Sequence, residues 1–211
     1  MNDLIQLFSF DVVASASYKT LRGSHEESPQ WLTAFRSFYE ELPLIFTAEI
    51  ARLYFDEAVD IPSVPLWKAI GDELVFITRP TSERDLQLLT EACVAAMRKG
   101  NAHFQKTWDL QIHGVTWSLR EGPRNVAVRF RELETDSDAV FDLIGPDVDL
   151  GFRLVSHAPA GGVLVPACHA ERLKGSRLDV AQVGQAYLKG IRLDAYPLLL
   201  ARSPETEEEK G

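Results

Sequence analysis

The order in which strand-like and helix-like segments follow one another constrains this chain most. Leu4-Ile5-Gln6-Leu7-Phe8-Ser9-Phe10 is a nearly continuous apolar run, read over 4–13 as a buried central strand. From Gln30 to about Phe55, residues Trp31, Phe35, Phe38, Leu42, Ile45, Ile50 and Leu53 recur at helical spacing. Ser28-Pro29 suits a helix start, and Pro43, which lacks a backbone donor, is expected to break or kink that helix. Two short apolar runs, 64–70 and 73–78, flank Gly71-Asp72 as a hairpin with a two-residue turn. Thr81 to Phe104 reads as a long amphipathic helix capped by Thr81 or Ser82. Residues 108–119 and 125–131 read as a further strand pair across Glu121-Gly122-Pro123-Arg124. The succession is β-α-β-β-α-β, the ferredoxin-like split arrangement of an α+β fold.

Further α/β elements extend that core. Gly145-Pro146 opens a helix reaching about His157, and Pro159-Ala160-Gly161-Gly162 ends it. Val163-Leu164-Val165 reads as a strand, Ala167 to Leu173 as a short helix, and 184–189 and 195–201 as closing strands. At 211 residues the chain suits one domain, 1–202, followed by an acidic, aliphatic-poor tail, 203–211, expected to be frayed.

Composition narrows the partners. A net charge of −9 disfavours a nucleic acid, which needs clustered Lys and Arg, but permits a nucleotide whose phosphates are neutralised by metal ions. Cys93 and Cys168 make neither a disulfide framework nor a metal knuckle and are expected as buried free thiols in a reducing cytoplasm. No apolar run approaches the ~20 residues of a membrane span, and no signal-peptide pattern is evident, so a cytoplasmic protein is expected. The five histidines show no metal-ligand spacing and receive no assignment. Trp31, Trp67, Trp108, Trp117 and the Tyr54-Phe55 pair are read as core or packing residues.

Charged residues at the ends of these elements carry the chemistry. Asp11 closes the first strand, Asp72 sits in the hairpin turn, and the stretch from Phe141 to Leu154 holds Asp142, Asp149 and Arg153. Two carboxylates on neighbouring strands can hold a divalent metal, and an arginine on a helix can face a phosphate. That is the inventory of a nucleotidyl-transfer site. Singly, each residue is more ordinarily a turn former, a cap or a solvated ion pair.

Together and in this order they resemble the catalytic domain of the class III nucleotide cyclases. Phe10-Asp11-Val12-Val13 is similar to that family's first metal-binding strand end, and Lys68-Ala69-Ile70-Gly71-Asp72-Glu73 to its second. Phe141-Asp142 through Asp149 to Arg153 resembles the segment that reads the base and positions the ribose. Leu188-Lys189-Gly190-Ile191, with Tyr196 beyond it, resembles the closing segment. The resemblance implies that Asp11, Asp72 and the Val12 carbonyl bind two Mg²⁺ or Mn²⁺ ions. It implies that Arg153 and Asp149 are catalytic and that Lys68, Asp142 and Lys189 bind substrate. It also implies a homodimer with two sites at the interface, each taking its metal aspartates from one subunit and its other contacts from the partner.

Lys68 and Asp142 stand where adenylate cyclases read adenine, lysine donating to a ring nitrogen and aspartate accepting from an exocyclic amine. Cytosine presents the same edge and uracil does not, so hydrogen bonding alone favours ATP and CTP over UTP. Other traits depart from adenylate cyclases. Ala14-Ser15-Ala16-Ser17-Tyr18 replaces the usual Gly-Phe-Thr, Asp11 and Asp72 are widely spaced, and Asp149 replaces asparagine. These traits resemble the stand-alone bacterial pyrimidine cyclases, which signal phage infection through cyclic CMP or cyclic UMP. The alternatives are an adenylate cyclase and a silent cyclase-homology module that binds a nucleotide or partner without turnover.

Overall fold

A computed structural model describes residues 4–23, 29–129, 141–190 and 195–204. Its centre is strand β1 (Leu4–Val12), whose hydrogen-bonding edges are both filled. On one side lies β3 (Glu73–Thr78), followed by the edge strand β2 (Leu66–Ile70); on the other lies β4 (Ile112–Arg120). Helix α2 (Gln30–Asp56) connects β1 to β2, and α3 (Glu83–Trp108) connects β3 to β4. The spatial order β2-β3-β1-β4, all antiparallel, is the ferredoxin-like core that the succession of segments predicts. Beyond it β7 (Val163–Val165) pairs parallel to β4, then β9 (Tyr196–Arg202) and β8 (Asp179–Ala186) complete seven strands.

Alternation along β1 separates two cores. Leu4, Phe8, Phe10 and Val12 face α2 and α3, where they pack with Phe38, Leu42, Phe46, Leu89, Met97 and Phe104. Ile5 and Leu7 face the opposite side, packing with Val115, Trp117, Val148 and Leu154. On that second side lies α4 (Pro146–Val155). Gly151 lets α4 sit against the sheet, because a Cβ there would lie 2.1 Å from Trp117.

Several segments differ from the sequence-based expectation. Helix α2 runs unbroken through Pro43. An interior proline costs about 3 kcal/mol, whereas Phe38, Leu42, Phe46 and Ile50 around it are all buried, each worth roughly 1.5–3 kcal/mol. Burial wins. A short helix α1 (Ser15–Leu21), not expected from the sequence, follows β1; Ala14 enters it in the left-handed region at φ 50°. Residues 126–129 form β5, but not as a partner of β4. The reciprocal bonds between Gly122 and Asn125 turn the chain out of the main sheet, and Val126–Arg129 pairs instead with β6 (Phe141–Ile144) in a separate two-stranded ladder. β8 begins at Asp179 rather than 184. The short helix α5 (Ala167–Arg172) falls where expected, but it leaves Cys168 exposed while Cys93 is buried. The residues of the acidic tail beyond Pro204 lie outside the described residues. Among the described residues no helix is long and apolar enough to cross a membrane.

Candidate active site

The antiparallel registers bring Asp11 opposite Glu73 on β3 and opposite His113 on β4. All three belong to the face away from α2 and α3, since Ser9 and Asp11 continue the odd-numbered set of β1. The Asp11 carboxylate accepts the Val12 amide on Oδ1 at 2.9 Å, and its Oδ2 lies 3.4 Å from His113 Nε2. Asp72 sits in the hairpin turn beside Gly71, whose φ of +65° makes that tight reversal possible. Tyr39 reaches across from α2 and donates its hydroxyl to the Gly71 carbonyl, so this long helix pins the turn.

Negative charge is concentrated here. Glu73 accepts a hydrogen bond from Ser9, yet its carboxyl is pushed up to about 7, first by burial and then by Asp11 and Asp72. The Tyr39 hydroxyl is likewise raised, by burial and then by the fields of Asp72 and Asp11. His113 is raised as well: burial opposes its charge, but the hydrogen bonds to Asp11 and Ala158 and the nearby carboxylates outweigh it. Carboxylate oxygens are the donors a hard divalent ion takes. Among the described residues no three His, Cys, Asp or Glu side chains are gathered closely enough to hold an ion by themselves. Asp11 and Asp72 are the carboxylates that could supply two ligands, the rest of such a shell being left to backbone and ligand oxygens.

A second group of residues gathers elsewhere. Lys68 on β2 makes an ion pair with Asp142 on β6, so the two residues expected to read the base do meet. Trp67 builds that meeting: its indole N–H donates to the Phe141 carbonyl at 3.1 Å, its ring stacks on Phe141, and the Lys68 ammonium lies 4.2 Å from its centroid. Gly145 then starts α4, whose first turn carries both Asp147 and Asp149. Arg124 clamps Asp147 through three hydrogen bonds and Asn125 adds a fourth at 2.8 Å, holding that carboxyl below its usual range. Asp149 is exposed and has no side-chain partner among the described residues. Asp147 is thus structural and Asp149 is the available carboxylate. One turn on, the Arg153 guanidinium lies against Gly190, where a Cβ would be 3.6 Å from its Nη2. Exposed Lys189 is the neighbour of that glycine.

No hydrogen bond or ion pair among the described residues joins Asp11 or Asp72 to Lys68, Asp142, Asp149, Arg153 or Lys189. Glu73, Tyr39, His113 and Trp67 are the residues that sequence reasoning passed over. Their positions depend on registers and contacts between segments 32 to 102 residues apart.

No protein-family model matches the chain, and no curated protein matches it by sequence. Solved structures match almost end to end. The adenylyl cyclase CyaB from P. aeruginosa superposes with a TM-score of 0.62 at 16% identity, over 96% of this chain and 95% of that one. The guanylate cyclase domain of RhGC from Catenaria anguillulae, solved in complex with GTP, gives 0.66 at 14%, over 97% and 98%. A dimeric guanylyl cyclase domain of the RhoGC fusion protein from Blastocladiella emersonii gives 0.64 at 13%, over 96% and 98%. The chain has the class III cyclase fold. At these identities the likeness is one of architecture. In the class III cyclase fold of this chain, both long helices cover one face of the sheet and leave Asp11, Glu73 and His113 on the other. A cavity of about 630 Å³ lined by Tyr54, Ile61, Arg84 and Asp85 lies elsewhere. Its Arg84 is already paired with Glu57 and Glu91, and Tyr54 donates to Asp85, in keeping with a packing role for Tyr54.

Proposed function

We propose that this chain is a nucleotidyl cyclase that converts a pyrimidine nucleoside triphosphate, CTP or UTP, to its 3′,5′-cyclic monophosphate and pyrophosphate. What supports this reading is the cyclase fold together with the absence, among the described residues, of any hydrogen bond or ion pair joining Asp11 or Asp72 to Lys68, Asp142, Asp149, Arg153 or Lys189. Neither set of residues suffices alone, and a head-to-tail homodimer presents each to the other twice.

In that assembly Lys68 and Asp142 exchange their mutual ion pair for the base edge. A lysine donor and a carboxylate acceptor suit cytosine better than uracil. Asp149, exposed on α4, accepts the proton of the ribose 3′-hydroxyl as that oxygen attacks the α-phosphorus. Arg153 faces the α-phosphate, where charge develops as pyrophosphate departs in line. Lys189 holds the β- and γ-phosphates as a point charge. Asp11, Asp72 and the Val12 carbonyl would hold Mg²⁺ or Mn²⁺, which when bound supplies Lewis-acid stabilisation of the phosphoryl oxygens. A cyclase of this kind serves as a second-messenger source, and the resemblance to the pyrimidine cyclases points to antiphage signalling.

The same Lys–Asp pair supports adenylate cyclase activity as the second reading, because adenine shows a similar amine-plus-acceptor edge. Purified protein incubated with Mn²⁺ and each of ATP, GTP, CTP and UTP, with products resolved by mass spectrometry, separates the readings. A cyclic pyrimidine monophosphate is expected. Cyclic AMP selects the second reading, and no product from any of the four favours a silent nucleotide-binding module.

A further inference from the structure

We propose that Trp67 is a positioning residue for base selection: a β-bulge turns its ring onto the same face as Lys68, where it fixes the spacing between Lys68 and Asp142. The inference rests on the cyclase reading of that pair and adds a residue that the sequence marks only as packing.

Counted back from the Gly71-Asp72 turn, β2 pairs regularly with β3: Ile70 lies opposite Glu73, Ala69 opposite Leu74 and Lys68 opposite Val75. Alternation would next set Trp67 opposite Phe76. Leu66 takes that place instead, so Trp67 is an extra residue and shares Val75 with Lys68. The difference decides which way the ring faces. Leu74 and Phe76 belong to the core under α2 and α3, whereas Val75 belongs to the core under α4. Regular pairing would send the indole to the helix-covered face; the bulge re-aims it, and Trp67 packs against the α4-side core beside Phe141.

There the indole N–H donates to the Phe141 carbonyl at 3.1 Å, the ring stacks on Phe141, and Lys68 Nζ lies 4.2 Å from its centroid. From the other side, Asp142 Oδ1 accepts the Leu143 amide at 2.7 Å, so the carboxylate is held by its own strand. Phe141 and Asp142 are adjacent. The Trp67–Phe141 contact therefore keeps donor and acceptor at their spacing when the ion pair opens to admit a base. A base edge is read by a donor and an acceptor at a set separation, so whatever holds that separation governs discrimination.

Steady-state kinetics of the full chain with Mn²⁺ and each of ATP, GTP, CTP and UTP test this. Trp67→Phe keeps an aromatic ring and removes the N–H. It is expected to raise KM for the preferred nucleotide about threefold to tenfold, to narrow its margin over the other bases, and to leave kcat within about twofold. In an Asp142→Ala background the same substitution is expected to change neither KM nor preference, because Trp67 acts through that carboxylate. Phe141→Leu, which loosens the stack from the other side, is expected to reproduce the effect and serves where Trp67→Phe does not fold. Unchanged KM and base preference in these variants overturn the inference, and so does an effect of full size in the Asp142→Ala background. A fall in kcat with KM and preference unchanged makes Trp67 structural only and overturns it as well. No turnover by the unaltered chain overturns the cyclase reading itself, a result distinct from turnover that ignores Trp67.

Discussion

Lys68 and Asp142 stand 74 residues apart in the sequence and close an ion pair between the edge of the main sheet and a separate two-stranded ladder. With side chains 26% and 33% exposed, such a pair contributes under about 1 kcal/mol to stability. Its use is in recognition. Asp142→Ala is expected to leave Tm within about 3 °C while raising KM for the preferred nucleotide and weakening discrimination among bases. Melting curves beside steady-state kinetics with all four nucleotides check this, and a collapse of Tm would make the pair structural instead.

Arg153 has no carboxylate partner among the described residues and leans on Gly190, so its removal disturbs little of the fold. Arg153→Ala is expected to cut kcat by roughly 10²–10³ through lost transition-state stabilisation, with KM less affected. Asp72→Ala is expected to be inactive yet folded. Mixing the two inactive proteins should restore partial activity, because some mixed dimers regain one intact site. An activity assay of the mixture that shows no recovery contradicts the shared-interface arrangement.

Gly151 sits inside α4, where helix propensity alone would gain about 1 kcal/mol from alanine. Packing decides otherwise: the new Cβ would lie 2.1–2.5 Å from three atoms of the Trp117 ring. Gly151→Ala is expected to destabilise by about 1–3 kcal/mol and to lower activity further, because α4 carries both Asp149 and Arg153. Urea unfolding measures the first effect and kinetics at saturating substrate the second. A stabilised variant would mean that Trp117 yields.

His169 is fully buried between Ser118 and Thr90. Thr90 gives its hydrogen to the Leu86 carbonyl, so His169 Nε2–H donates to Thr90 and Ser118 donates to Nδ1. Burial, and then Arg172, push the imidazole down from 6.5 to about 3. The unfolded chain therefore binds a proton that the native state refuses. The contribution of His169 to stability is full above about pH 6.5 and is lost as pH falls, by roughly 3 kcal/mol between pH 7 and pH 4. Glu73, raised to about 7, runs the other way over the same range, so the test is the difference between the two proteins: in urea titrations at several pH values the unaltered chain should lose stability relative to His169→Gln as pH falls.

How much of this was legible in the sequence depends on what kind of signal placed each residue. The core strands and both long helices announce themselves by period, and Gly71-Asp72 marks its own turn. The partner of β5 does not, because it is settled by the Gly122–Asn125 bonds that turn the chain off β4 and by the edge that β6 then offers. Pro43 misleads because a local penalty is outweighed by apolar burial along the rest of the helix. Asp11, Asp72, Lys68, Asp142, Asp149 and Arg153 are candidates through their resemblance to an ordered motif set. His113 carries no such mark: it joins the Asp11 neighbourhood only because an antiparallel register brings together residues 102 positions apart. Asp147 and Asp149 look alike in sequence, and only Arg124 and Asn125 distinguish the occupied carboxylate from the free one.

Among the described residues the β5–β6 ladder has four rungs and no third strand, and an isolated two-stranded ribbon is marginal in water. Its ties to the main sheet include the Trp67 indole and the Lys68–Asp142 contact. Its amides should therefore exchange with solvent through low-energy local openings, while those of β1, flanked on both edges, wait for global unfolding. A nucleotide that engages Asp142 would slow exchange in this ribbon before anything else in the molecule notices. A ribbon held this lightly would report, through its own opening free energy, a nucleotide bound at Asp142.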